Sequence, residues 1–118
     1  MASLFRFRFK IEVITAPGII RVDPDPAEVE QGTTVEWKFN FKGNSSGQLI
    51  FLVYFSEESP FNWNKNSTVI STDSPYKEAI VSGDAEKTGR FKYGIRVVDR
   101  ENSKTLAEDD PWLIVKPR

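Results

Sequence analysis

The stretch GRFKYGIRVVDR, residues 89–100, decides how this chain folds. Gly89 opens it, and Phe91, Tyr93 and Ile95 then recur at every second position. That is the period of a β-strand with one face against a core, and it points Ile95 inward. The same period appears elsewhere. Phe5, Phe7, Phe9, Ile11 and Val13 alternate with Arg6, Arg8, Lys10 and Glu12, and Pro17-Gly18 ends that run. Val35, Trp37, Phe39 and Phe41 alternate with Glu36, Lys38, Asn40 and Lys42.

Between these lie shorter segments. IIRV (19–22) is a strand closed by DPDP, whose prolines offer no ladder donors. After the turn cluster KGNSSGQ, LIFLVYF (49–55) is apolar on both faces and predicts a strand inside a sheet. STVIST (67–72) reads as a short edge strand, YKEAIVSG (76–83) as another strand, and PWLIVKP (111–117) as the closing one. Nothing has the spacing of a long amphipathic helix, although DAEKTG (84–89) accommodates one turn. Seven or eight short strands separated by turn signals predict an all-β fold, an antiparallel Greek-key sandwich built as a single domain over residues 1–118.

Composition removes several functions. The 118 residues include no cysteine and no histidine. Disulfides, iron–sulfur clusters and thiolate zinc sites are therefore excluded, along with the commonest metal ligand and the usual catalytic base. Sixteen cationic side chains balance seventeen anionic ones, which is not the footprint of a nucleic-acid binder. In MASLFRFRFKIEVIT the cations interrupt every apolar run, so no signal peptide is expected in this stretch, and no run is long enough to cross a bilayer as a helix. The expectation is a cytoplasmic protein with neither membrane nor nucleic acid as partner.

Two blocks carry a family resemblance. IIRVDPDPAEVEQGTTVEWKF (19–39), with Gly32, Thr34, Val35 and Trp37 as G-x-T-V-x-W, resembles the opening of the cupredoxins, the small blue-copper proteins. Gly89, Phe91 and Tyr93 are similar to the start of that family's G-x-Y-x-F-x-C strand. The resemblance puts the thiolate ligand where Ile95 stands, a histidine at Val98 and the methionine near Ser103. A blue-copper centre needs two imidazoles and a thiolate, so the resemblance implies the scaffold without the metal. Gly89-x-Phe91-x-Tyr93 also resembles the tyrosine-corner strand of an immunoglobulin- or fibronectin-like sandwich, with Trp37 as its core tryptophan. That fold is the alternative.

Other clusters have plain explanations. Glu57-Glu58 and Glu108-Asp109-Asp110 read as solvated acids; they match no calcium-loop spacing, and Pro111 makes the second group a turn. No Gly-rich phosphate loop occurs, and the Asn44 and Asn66 sequons lie in polar loops. Arg6, Arg8 and Lys10 share one face of the first strand and keep an edge strand from pairing with other chains. Trp37 and Trp112 are expected in the core, and Tyr54, Tyr76 and Tyr93 at its rim with wet hydroxyls.

SEESPFNWNKNST (56–68) is different, because no strand period places Phe61 and Trp63 in this polar loop. They either fold back to cap the sandwich or project as anchors, with Asn62 and Asn64 adding adaptable hydrogen bonds. The second reading makes Phe61, Trp63, Asn62 and Asn64 the partner-binding residues. Copper-free cupredoxin-like domains serve recognition, so the resemblance implies a small, non-enzymatic, cofactor-free module that binds a protein partner, or its own copy, through end loops. Oligosaccharide binding through the same aromatics is the alternative function.

Overall fold

Strand periodicity becomes two facing sheets. The structure is a computed structural model that describes residues 7–43, 48–55, 57–61, 69–74, 78–101 and 103–118. In chain order the strands are β1 (Arg8–Ala16), β2 (Ile19–Asp23), β3 (Ala27–Glu30), β4 (Thr34–Phe41) and β5 (Leu49–Phe55). They continue with β6 (Val69–Ser74), β7 (Glu78–Asp84), β8 (Gly89–Asp99), β9 (Lys104–Asp109) and β10 (Trp112–Lys116). One sheet has the order β2-β1-β4-β7; the other runs β3-β10-β8-β5-β6, with β9 also paired to β8.

Ten strands, not seven or eight, make up the described residues. The two that the sequence hid are β3, four residues after two prolines, and β9, whose residues are mostly charged or polar. The sheets are also mixed rather than purely antiparallel. β1 runs parallel to β4, from Arg8 opposite Thr34 to Thr15 opposite Phe41, and β3 runs parallel to β10. Alternation specifies which face a side chain takes and carries nothing about the direction of a neighbour far away in sequence.

The core lies between the sheets. Ile11, Val13, Val35, Trp37 and Phe39 point inward from one sheet, and Phe51, Val53, Ile95, Val97 and Leu113 from the other, all fully buried. Phe39 and Phe51 meet across the interior with ring centroids 5.1 Å apart. Burial of each such side chain contributes roughly 1.5–3 kcal/mol before chain entropy is subtracted. β5 lies between β8 and β6, as its two apolar faces require, and β6 lies at the end of its sheet.

Local chemistry sets the connections. Pro17 and Gly18 form the two-residue link between Ala16 and Ile19, which pair with each other, and Gly18 takes φ +77°. Proline presets the first turn position and glycine accepts the positive φ of the second. β2 pairs with β1 only from Glu12 to Ala16, so among the described residues β1 is an edge strand solely over Arg8–Ile11. There Arg8 bonds Glu36 on β4, and Lys10 stays exposed. No helical turn forms at 84–89: Asp84 ends β7, and Ala85 bridges to Phe61.

Candidate recognition site

Phe61 turns inward. It is 7% exposed, packs edge-on against Trp37 at 5.3 Å and lies 5.7 Å from Phe55. Its backbone bridges Ala85, and its N–H donates to the Ser59 hydroxyl at 3.1 Å. The ring belongs to the core, as the capping alternative holds, so the projecting-anchor role does not fit Phe61. An isolated aromatic in a loop gains more by covering the open end of the sandwich than by remaining in water. Trp63, Asn62 and Asn64 lie outside the described residues, as do Tyr76 and the Asn44 and Asn66 sequons.

That inward turn positions the start of the loop. The Pro60 carbonyl accepts from the Glu86 and Lys87 amides at 2.8 and 3.1 Å, tying it to the β7–β8 connection. Glu57 and Glu58 are thereby held beside the first residues of β8, where Glu58 meets Lys87 at 3.2 Å.

Across from them stands Trp112. The sequence predicts it in the core, but the first residue of β10 faces outward, and the ring-bearing residue is 37% exposed. Strand parity requires this: Leu113 and Val115 are the buried positions, so Trp112 and Ile114 take the other face. The backbone N–H of Trp112 donates to the Asp25 carboxylate at 3.0 Å, and the adjacent Pro111 carbonyl accepts from the Tyr93 amide at 3.0 Å. On β8, Arg90 and Lys92 lie over the indole, 5.3 and 5.5 Å from its centroid. These groups line a hollow of about 550 Å³ formed by Glu57, Glu58, Arg90, Phe91, Lys92 and Trp112, among others.

Charge in the hollow is segregated. The loop contributes acids and β8 contributes cations. Lys92 pairs with Asp110 at 3.2 Å. Among the described residues neither Arg90 nor Glu57 has an opposite charge as partner.

Farther along the same face, Arg96 on β8 donates to Glu108 on β9 at 2.7 Å, and the Tyr54 hydroxyl donates to that carboxylate at 3.0 Å. The hydrogen bond from Arg96 is the main reason the Glu108 carboxyl is held below its usual range. Desolvation and Glu108 push the Tyr54 phenol upward. Glu108 and Asp109 are strand residues, not turn residues, and Glu108 and Asp110 pair with Arg96 and Lys92. Among the described residues no group of three or more acids gathers as a metal cage.

Tyr93 also differs from its expected place. It is 2% exposed, and its hydroxyl accepts from the Trp37 indole N–H at 3.2 Å inside the core. Burial pushes its phenol far above the ordinary value of 10.

The positions aligned with the copper ligands do not come together. Ile95 is fully buried in the middle of β8, paired to Val53 and Asp109. Val98 is three residues further along the same strand, on the opposite face, and Ser103 sits in the β8–β9 turn at φ +50°. β8 continues to Asp99 and folds back as a hairpin, with a bulge at Val97/Val98.

No family model matches the sequence, and no curated protein matches it. Similarity appears in structure. The dithionite-reduced auracyanin of the photosynthetic bacterium Roseiflexus castenholzii superposes with TM-score 0.52 at 13% identity, over 92% of this chain and 97% of its own. Auracyanin B gives 0.51 at 12% identity, over 98% of this chain and 94% of its own. A copper nitrite reductase from Nitrosomonas europaea gives 0.51 at 14%, over 94% of this chain and 42% of its own. At such identities the likeness speaks for the fold alone, and it favours the cupredoxin sandwich over the immunoglobulin-like one. The chain has a cupredoxin-like fold and carries neither the thiolate nor the imidazoles on which a blue-copper centre depends.

Proposed function

We propose that this chain is a non-enzymatic, metal-free recognition module that engages a protein partner at the end of the sandwich where the β5–β6 loop leaves the sheet. The observation that carries this reading is Trp112, more than a third exposed on a rigid strand at the rim of a hollow of about 550 Å³. Tryptophan and arginine are the residue types most enriched where binding energy concentrates, because each brings large contact area or directed donors at low entropic cost. The scaffold beneath is a packed core, so the platform is preorganised.

Absence of histidine and cysteine supports the non-enzymatic part, since general-base and thiolate chemistry at neutral pH depend chiefly on those residues. Oligosaccharide binding is the weaker reading. It rests on the loop aromatics Phe61 and Trp63, and Phe61 is in the core.

The test is photo-crosslinking from single positions. A photoreactive residue at position 88 or 114, which flank Arg90 and Trp112 on the same rim, should give adducts with one protein in extracts of the source organism. The same residue at position 80, on the outer face of the other sheet, should give none. Adducts formed equally from position 80, or from none of the three, contradict the siting. An oligosaccharide that shifts tryptophan emission in the wild type and not in Trp112→Phe would favour the sugar reading instead.

A further inference from the structure

The hollow beside Trp112 has a charge pattern that selects among partners. We infer that it is a binding site for a peptide segment carrying both an acidic and a basic side chain. The acid is taken by Arg90 against Trp112, and the base by Glu57 on the facing wall. This deepens the recognition-module reading and rests on it.

Arg90 is the primary determinant. Its guanidinium lies 5.3 Å from the Trp112 centroid, and among the described residues it has no carboxylate partner. An arginine in cation–π contact with an aromatic ring still has N–H donors to offer a bidentate carboxylate. Lys92 lies over the same ring, but Asp110 neutralises it at 3.2 Å, so Arg90 is the group left to attract an anion.

Glu57 and Glu58 exclude a purely anionic ligand. Glu58 is balanced by Lys87 at 3.2 Å, whereas among the described residues Glu57 is unbalanced and lines the same hollow. A polyuronate, a sulfated glycan or a nucleic acid presents one sign of charge along its length and would set that charge against Glu57. A polypeptide can place opposite charges a few ångströms apart. The lining is itself balanced, two acids against two cations, which discriminates by pattern and not by net charge. The backbone around the site is pinned at Trp112 by Asp25 and at Pro60 by the Glu86 and Lys87 amides, so the two walls keep their spacing.

The test is a phage-displayed library of random dodecapeptides, selected on the wild-type chain with counter-selection on the Arg90→Ala, Trp112→Ala double variant. Enriched peptides, synthesised and titrated by calorimetry, should pair an acid with a base within a few residues. Arg90→Ala should weaken them at least tenfold. Arg90→Lys should also weaken them, since a point charge replaces the fork. Glu57→Gln should weaken them and abolish the discrimination against versions whose base is replaced by an acid. Three results would overturn the inference: no enrichment over the double variant, Arg90→Lys binding as the wild type does, or an oligogalacturonate probe binding the wild type more tightly than the peptides. The two readings fail separately. Crosslinks from positions 88 and 114 that survive Arg90→Ala would leave the module standing and remove the carboxylate fork. Loss of both crosslinks and peptides would remove both.

Discussion

The indole N–H of Trp37 on β4 donates to the hydroxyl of Tyr93 on β8, 3.2 Å away, and joins the two sheets through the middle of the core. The rings meet edge to face with centroids 5.6 Å apart. Both residues belong to the two blocks that resemble the cupredoxins, and the contact shows what those blocks do together: each supplies half of one polar link inside an apolar interior. Tyr93→Phe removes the acceptor while keeping the ring. It should lower stability by about 1–2 kcal/mol in urea denaturation. A midpoint equal to the wild type's would show that the hydroxyl contributes nothing.

Alkaline pH should expose the same residue. The Tyr93 phenol is raised by burial, above the ordinary value of 10. The unfolded state therefore releases its proton first, and stability is lost as pH climbs past 10. Tyr54 is shifted in the same direction, so Tyr93→Phe should reduce the alkaline loss without abolishing it. Denaturation midpoints between pH 9 and 12 test this; parallel curves for wild type and variant would contradict it.

Thr15 presents the opposite case. Its hydroxyl is buried on β1, at 1% exposure, with no hydrogen-bond partner among the described residues. Thr15→Val keeps the shape and removes a desolvated polar atom, so it should raise stability by about 1 kcal/mol. A fall in the thermal midpoint would mean that the hydroxyl is satisfied.

Gly94 and Tyr54 face each other across β8 and β5, and the tyrosine ring lies over the glycine. A Cβ on Gly94 would meet the ring carbon Cζ at 2.1 Å. Gly94→Ala should cost about 1–3 kcal/mol by overpacking and release Tyr54 from Glu108. In a Tyr54→Ala background the same change should be close to neutral, a coupling that a double-mutant cycle reads directly. Equal costs in both backgrounds would show that the ring and the glycine are independent.

Much of this architecture was legible in the sequence, because alternation at Phe91, Tyr93, Ile95 and at Val35, Trp37, Phe39 fixes which side chains face inward. The central place of β5 and the edge place of β6 followed from their composition. Other features were not legible, for physical reasons. The exposure of Trp112 depends on strand parity, and in WLIV every residue is apolar, so neither parity stands out. Phe61 has no periodic neighbours, and its inward turn comes from pairing with Ala85, a residue that no local pattern links to it. The parallel pairs, β1 with β4 and β3 with β10, join segments whose relative direction is a property of the whole chain path. The segregated charges around the hollow were visible only as separate residues until the sheets brought Glu57, Arg90 and Trp112 to one end.

The position aligned with the copper thiolate is ordinary core, held in the middle of a continuous strand. Equilibrium denaturation of Ile95→Ala measures how much that packing contributes. Ile95 is fully buried and pairs with Val53 and Asp109 in the sheet, so the substitution should cost about 2–5 kcal/mol in a cooperative transition. A loss below about 0.5 kcal/mol, the range of a surface substitution, would contradict it.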